Sequence, residues 1–150
     1  MMTNCIGWSA VTTSMFNTPQ ETATRLTMCL SRAPRPLSLD ETTALDLAAT
    51  YMKQFGVGSE SLHGNTPYAV AEYDARCRRV HAGLARLVRT GLASTGDNGI
   101  TFGSTPVGQS FAQSLDGAYA DAYGQAMGQL LARGLDVVVV QVQKKVMQHG

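Results

Sequence analysis

Apolar residues recur at helical spacing along most of this chain, and several of the runs open on the same polar signature. In Phe16-Asn17-Thr18-Pro19-Gln20-Glu21, a capping threonine precedes a first-turn proline and a glutamate, with Phe16 placed to staple the start. The spacing predicts a helix to about Arg32 that buries Ala23, Leu26 and Leu30, stopped by Pro34 and Pro36. Ser38-Leu39-Asp40-Glu41 repeats the capping pattern and opens a second helix to about Gln54, with Ala44, Leu45, Ala48 and Met52 as its apolar stripe. Gly56 and Gly58 end it. Thr66-Pro67 begins a third helix that runs to about Thr90, with Gly91 past its end.

The period then changes. Leu92 to Thr95 and Ile100 to Phe102 flank a Gly96-Asp97-Asn98-Gly99 turn and read as a β-hairpin. Thr105-Pro106 caps a further helix carrying Val107, Phe111, Leu115, Tyr119, Ala122 and Ala126, ending near Gly134. Beyond it, five β-branched residues in Val137 to Val142 favour a strand, although Leu131, Leu135, Val138, Val142 and Val146 also form a helical stripe. The β-branched content tips the reading to a terminal strand. The fold class is thus mainly α with a small β-hairpin: a winged-helix-like domain over 18–134. It is preceded by an N-terminal extension (1–17) that is partly packed, since it holds Trp8 and Phe16, and followed by a Val-rich segment (135–150). Helices followed by a hairpin after a long third helix is the winged-helix order, in which the third helix can enter a DNA major groove.

Composition narrows the classes. The chain's 150 residues fit one domain, and 44% apolar residues supply a core. Only 15% are charged, against about 25% in ordinary soluble domains. A charge-poor surface suits either a subunit of a larger assembly or an Ala/Thr/Gly-rich protein of no special design. Net charge is +1, so any case for nucleic acid must be local. Cys5, Cys29 and Cys77 are odd in number and lack metal or redox spacing, which fits reduced thiols in the cytoplasm. The first residues lack a signal-peptide pattern, and no apolar run reaches membrane-spanning length.

The local case sits on the third helix. At about 100° per residue, Cys77, Val80, Leu84, Leu87 and Val88 share one side and Arg78, Arg79, Arg86 and Arg89 the other. No carboxylate falls between Asp74 and Asp97. This face suits phosphates or an acidic partner, or is a solvated surface. On the last helix, Gly117, Gly124 and Gly128 cluster opposite Leu115, Ala118, Ala122 and Ala126. Such a glycine face either admits a partner backbone or marks a break near Gly117 or Gly124. Asp40, Glu41 and Asp46 read as first-turn and surface carboxylates, and Cys77 as a core thiol. His63, His81 and His149 make no zinc or catalytic spacing, and no P-loop or nucleophile elbow is present. The sequence predicts no enzyme, cofactor or metal site. A thiol-dependent enzyme using Cys77 or Cys5 is the reading it favours least.

The order of motifs resembles a known family. Phe16 to Glu21 resembles its F-x-T-P-x-E, and Ser61-Leu62-His63-Gly64-Asn65-Thr66-Pro67-Tyr68 its S-L-H-x-x-x-P-[YF]. Glu72, the arginines through Arg79, the run Leu84 to Leu92, and Gly99-Ile100-Thr101-Phe102 before Phe111, Leu115 and Tyr119 continue the likeness over about residues 16–125. The family is the middle component of bacterial ABC three-component systems, the small subunit of Lamassu-type antiphage defence. The resemblance implies a non-enzymatic adaptor that binds an SMC-like ABC ATPase and an effector, commonly a nuclease. Double-stranded DNA is a further contact made through the complex, with no membrane and no small-molecule substrate. His63 and Tyr68, in the most recognisable motif, become interface residues with Gly117, Gly124 and Gly128. The competing reading is a winged-helix transcription regulator that dimerises through its last helix and reads DNA with the arginine face.

Overall fold

A computed structural model of the chain describes residues 18–51 and 72–149. Thr18, Ser38 and Thr105 each open a helix as their side chains require. Helix α1 spans Pro19–Arg32, and the Thr18 hydroxyl accepts from the Glu21 amide at 3.1 Å. Strand β1, Leu37–Ser38, leads directly into α2, Leu39–Thr50. Ser38 and Glu41 form the reciprocal capping box there, at 3.2 and 2.9 Å. Arg35 clamps Glu41 with two bonds of 3.0 and 2.8 Å and, outweighing the opposing effect of burial, holds its carboxyl down at about 2. Helix α3 is described over Tyr73–Arg89. Strands β2, Ala93–Thr95, and β3, Thr101–Ser104, form the hairpin. Helix α4, Pro106–Ser114, follows on the Thr105 cap.

The sheet is antiparallel in the order β1-β3-β2, with Leu37 opposite Phe102 and Thr95 opposite Phe102 on the other side. The hairpin is as the sequence indicates. Strand β1 is an addition, only two residues long and squeezed between prolines and a helix cap, with no period to betray it.

Two expectations at the C-terminal end need correction. The helix from Thr105 does not run on to Gly134. It stops at Ser114, and α5, Ala118–Arg133, begins after Gly117, whose φ of +104° only glycine adopts readily. Val107 and Phe111, on the shorter first helix, α4, are exposed. The Val-rich segment is a helix, α6, Leu135–His149, and not a strand. Leu135, Val138 and Val142 are buried, and α6 packs on α2 and α5. Burial of this 3–4-spaced stripe outweighs the modest β preference of valine.

Helix α2 is the centre. Every residue from Thr42 to Thr50 is buried, and α1, α3, α5 and α6 all pack on it. Its apolar stripe therefore has no polar counterpart. The buried threonines are satisfied by bonding back along the helix, Thr42 to Ser38 O at 2.7 Å, Thr43 to Leu39 O at 2.8 Å and Thr50 to Asp46 O at 2.9 Å.

Asp46, read from sequence as a surface carboxylate, is fully buried here. Arg25 from α1 grips it with two bonds, Nε to Oδ1 at 2.9 Å and Nη2 to Oδ2 at 3.2 Å. Arg76 from α3 donates to Oδ2 at 2.8 Å, and the Tyr123 hydroxyl from α5 donates to Oδ1 at 2.8 Å. The Arg25, Asp46 and Arg76 side chains are 0% exposed. Burial pushes the Asp46 carboxyl up, but Arg25 and Arg76 outweigh it and hold the group well below the usual carboxylate range. Arg76 also stacks over the Tyr51 ring and donates to Thr50 at 3.0 Å.

Two predictions follow from this packing. Val138→Asp and Val142→Asp should each cost about 3 kcal/mol or more, and Val140→Asp less than about 0.5 kcal/mol. A strand would put all three on one face and penalise them alike; urea unfolding of the three variants decides. Asp46→Asn should destabilise by about 3–5 kcal/mol, because it strands two buried guanidiniums. Since the folded carboxyl lies below its ordinary value of about 3.9, its contribution is complete above that value. It is lost as pH falls through the lower folded value. Wild type should therefore lose more stability than Asp46→Asn between neutral pH and pH 2, measured by denaturant unfolding.

Candidate partner interface

The network fixes how α3 is rotated. With Arg76 turned inward onto Asp46, Val80, Leu84 and Leu87 follow into the core, and the opposite side of the helix faces out. Arg78 and Arg89 are exposed, and Arg79 and Arg86 are half-buried. Among the described residues, none of these four forms an ion pair. Cys77, expected in the core, is half-buried at its edge, and Cys29 is the buried thiol, pushed up by burial and by Asp46.

The four arginines do not form one flat face. Arg79, Arg86 and Arg89 line a cavity of about 210 Å³ with Ala82, Gly83, Pro19 and Thr22, whereas Arg78 lies off it. This hollow exists because α1 and α3 approach closely at Gly83. A Cβ there would lie 2.8 Å from Leu26 Cδ1 and 3.2 Å from Thr22 Cγ2. Two polar atoms at the cavity residues are buried without a hydrogen-bond partner, Arg79 Nε and Thr22 Oγ1. Burial and the neighbouring Arg76 cation pull the Arg79 guanidinium below its ordinary value, with Glu72 acting against them. Arg86 also borders a second cavity of about 250 Å³ whose apolar wall includes Leu87, Leu92 and Phe111. Thr22 escaped the sequence reading, as a threonine on an apolar helix face carries no signal of its own.

The predicted glycine face is divided. Gly117 forms the break before α5 and is separated from the other two in role. Gly124 is buried on the core side of α5, beside Tyr123, Met127 and Leu130. Of the alanines predicted opposite the glycines, Ala126 is buried in the core, whereas Ala118 is exposed and Ala122 half-buried. A Cβ on Gly124 would lie 2.8 Å from Arg32 Nη2, so an α1 side chain already occupies the space over it. Gly128 is exposed with open space above it. Gly124 and Gly128 nonetheless share one open groove of about 510 Å³, together with Arg32, Ala112 and Gln113. His63, Tyr68, the segment leading into α3 and Cys5 lie outside the described residues.

Among the described residues, no three His, Cys, Asp or Glu side chains come together as a metal site, and no helix is long and apolar enough to cross a membrane. The described surface includes a cationic hollow, an apolar hollow beside it and a glycine-lined groove.

Comparison with curated proteins and with solved structures returns no match. A family model described as ABC-three component (ABC-3C) system Middle Component 2 matches residues 15–144. That span takes in the described residues except the last five of α6, and includes the segment before α3. The chain therefore belongs to the ABC-three component system Middle Component 2 family.

Proposed function

We propose that this chain is a non-enzymatic adaptor in a Lamassu-type bacterial antiphage defence complex. In this reading it joins an SMC-like ABC ATPase to an effector, a nuclease, in the cytoplasm, and ATP hydrolysis and nucleic-acid cleavage belong to those partners. Family membership, which makes the chain one component of a multi-component ABC system, is the observation that carries the reading. The distribution of polar groups supports it. The one buried carboxylate among the described residues, Asp46, is fully engaged with Arg25, Arg76 and Tyr123. Arg78, Arg79, Arg86 and Arg89, which form no ion pair among the described residues, lie on a surface that an acidic partner or DNA phosphates can reach. Gly124 and Gly128 line a groove suited to a second contact; His63 and Tyr68 belong to the same proposed interface.

A second reading has a specific observation in its favour. Among the described elements, the order α1-β1-α2, then α3-β2-β3, with sheet order β1-β3-β2, is compatible with a winged helix. A homodimeric regulator would use α3 in a major groove. Fold alone does not choose between them.

Co-expression of the chain with the products of its neighbouring genes, followed by affinity purification, tests the proposal. The expected result is stoichiometric recovery of a large coiled-coil ATPase and a second protein. A chain that purifies alone as a dimer and binds one DNA sequence tightly would replace the adaptor with the regulator.

A further inference from the structure

We infer that the cavity between α1 and α3 is a socket for one acidic side chain, an aspartate or glutamate carboxylate projecting from a partner protein. The inference rests on the adaptor reading, since the carboxylate belongs to another protein. Three features of the cavity carry it.

The first is charge. Arg79, Arg86 and Arg89 converge on one hollow, and none of them has an ion pair among the described residues. The carboxylate nearest in role, Asp46, already serves both Arg25 and Arg76, so it leaves the neighbourhood positive. Glu72 acts on Arg79 without forming an ion pair with it. An entering anion supplies what is missing.

The second is hydrogen bonding. Arg79 Nε and Thr22 Oγ1 are buried with no partner, although buried polar groups are almost always paired. Thr22 is 1% exposed, and its hydroxyl does not use the backbonding that satisfies Thr27, Thr42, Thr43 and Thr50 in the same helices. A carboxylate can accept from a guanidinium and a hydroxyl together.

The third is shape. Duplex DNA presents its phosphates on a convex cylinder, and of the two exposed arginines of α3 Arg78 lies outside the cavity while Arg89 lines it. The hollow is lined in part by small residues, Ala82 and Gly83, and fits a projecting side chain. Arg86 connects it to the apolar cavity walled by Leu87, Leu92 and Phe111, so the acidic residue of the partner should be followed by an apolar one.

The test uses the purified full chain and an end-labelled hexaglutamate peptide, with fluorescence anisotropy at fixed ionic strength. Arg89→Gln should weaken binding by about tenfold or more. Thr22→Val should weaken it too, while raising the melting temperature by removing an unpaired buried hydroxyl. Arg78→Gln should change it less than about twofold, as expected for an exposed charge that does not line the cavity. Melting curves establish that each variant is folded. Equal losses for Arg78→Gln and Arg89→Gln, or unchanged binding in Thr22→Val, would overturn the socket. So would competition by inorganic phosphate or a short DNA duplex at lower concentration than the peptide. Failure of the adaptor reading registers separately, as loss of wild-type co-purification with the ATPase.

Discussion

One carboxylate joins four helices. Asp46 lies in the middle of α2 and accepts from Arg25 on α1, Arg76 on α3 and Tyr123 on α5, all of them buried. Burying a charge is costly, and a well-packed apolar core can match such a network in stability. Its larger consequence is geometric. Each donor reaches the carboxylate from one direction only, so the rotation and depth of three helices are set relative to α2. Apolar packing alone tolerates sliding that a bidentate Arg25–Asp46 contact does not.

That constraint reaches the surface. Arg76 and Arg79 are less than one turn apart, and inward anchoring of the first places the second at the rim of the α1–α3 cavity. The network also holds two guanidiniums on one carboxylate, so the core is positive where it approaches Arg79. Rigidity and a local surplus of positive charge therefore have one source. Both suit a subunit whose work is to present a fixed recognition surface to other proteins.

Helix starts were legible because their chemistry is local. Thr18-Pro19, Ser38 to Glu41 and Thr105-Pro106 each hold the groups that cap the helix they open. The hairpin was legible from its turn residues. Features decided by contacts distant in sequence were not. The valines of α6 carry a strand's propensity and a helix's spacing, and only burial against α2 and α5 chooses between them. The sequence left Gly117 open as part of a glycine face or as a break, and its positive φ decides for the break. Asp46 could have been found: Thr42 to Thr50 has almost no polar side chain beyond threonine, which marks a helix buried all round. A mid-helix aspartate in such a segment must have buried partners, and Arg25 and Arg76 were available to supply them. The arginine face was legible as a set, but its division into a cavity and a lone Arg78 depends on how closely Gly83 lets α1 approach.

The central claim is that Asp46 remains an anion inside the core because two guanidiniums and a tyrosine hydroxyl hold it there. Titration of its carboxyl carbon by ¹³C NMR in the folded protein tests this directly. The account predicts that the resonance stays at its ionised position as pH falls below about 3.9, the ordinary aspartate value. A midpoint above that value would mean that burial dominates, and would contradict the clamp on which the α3 geometry depends.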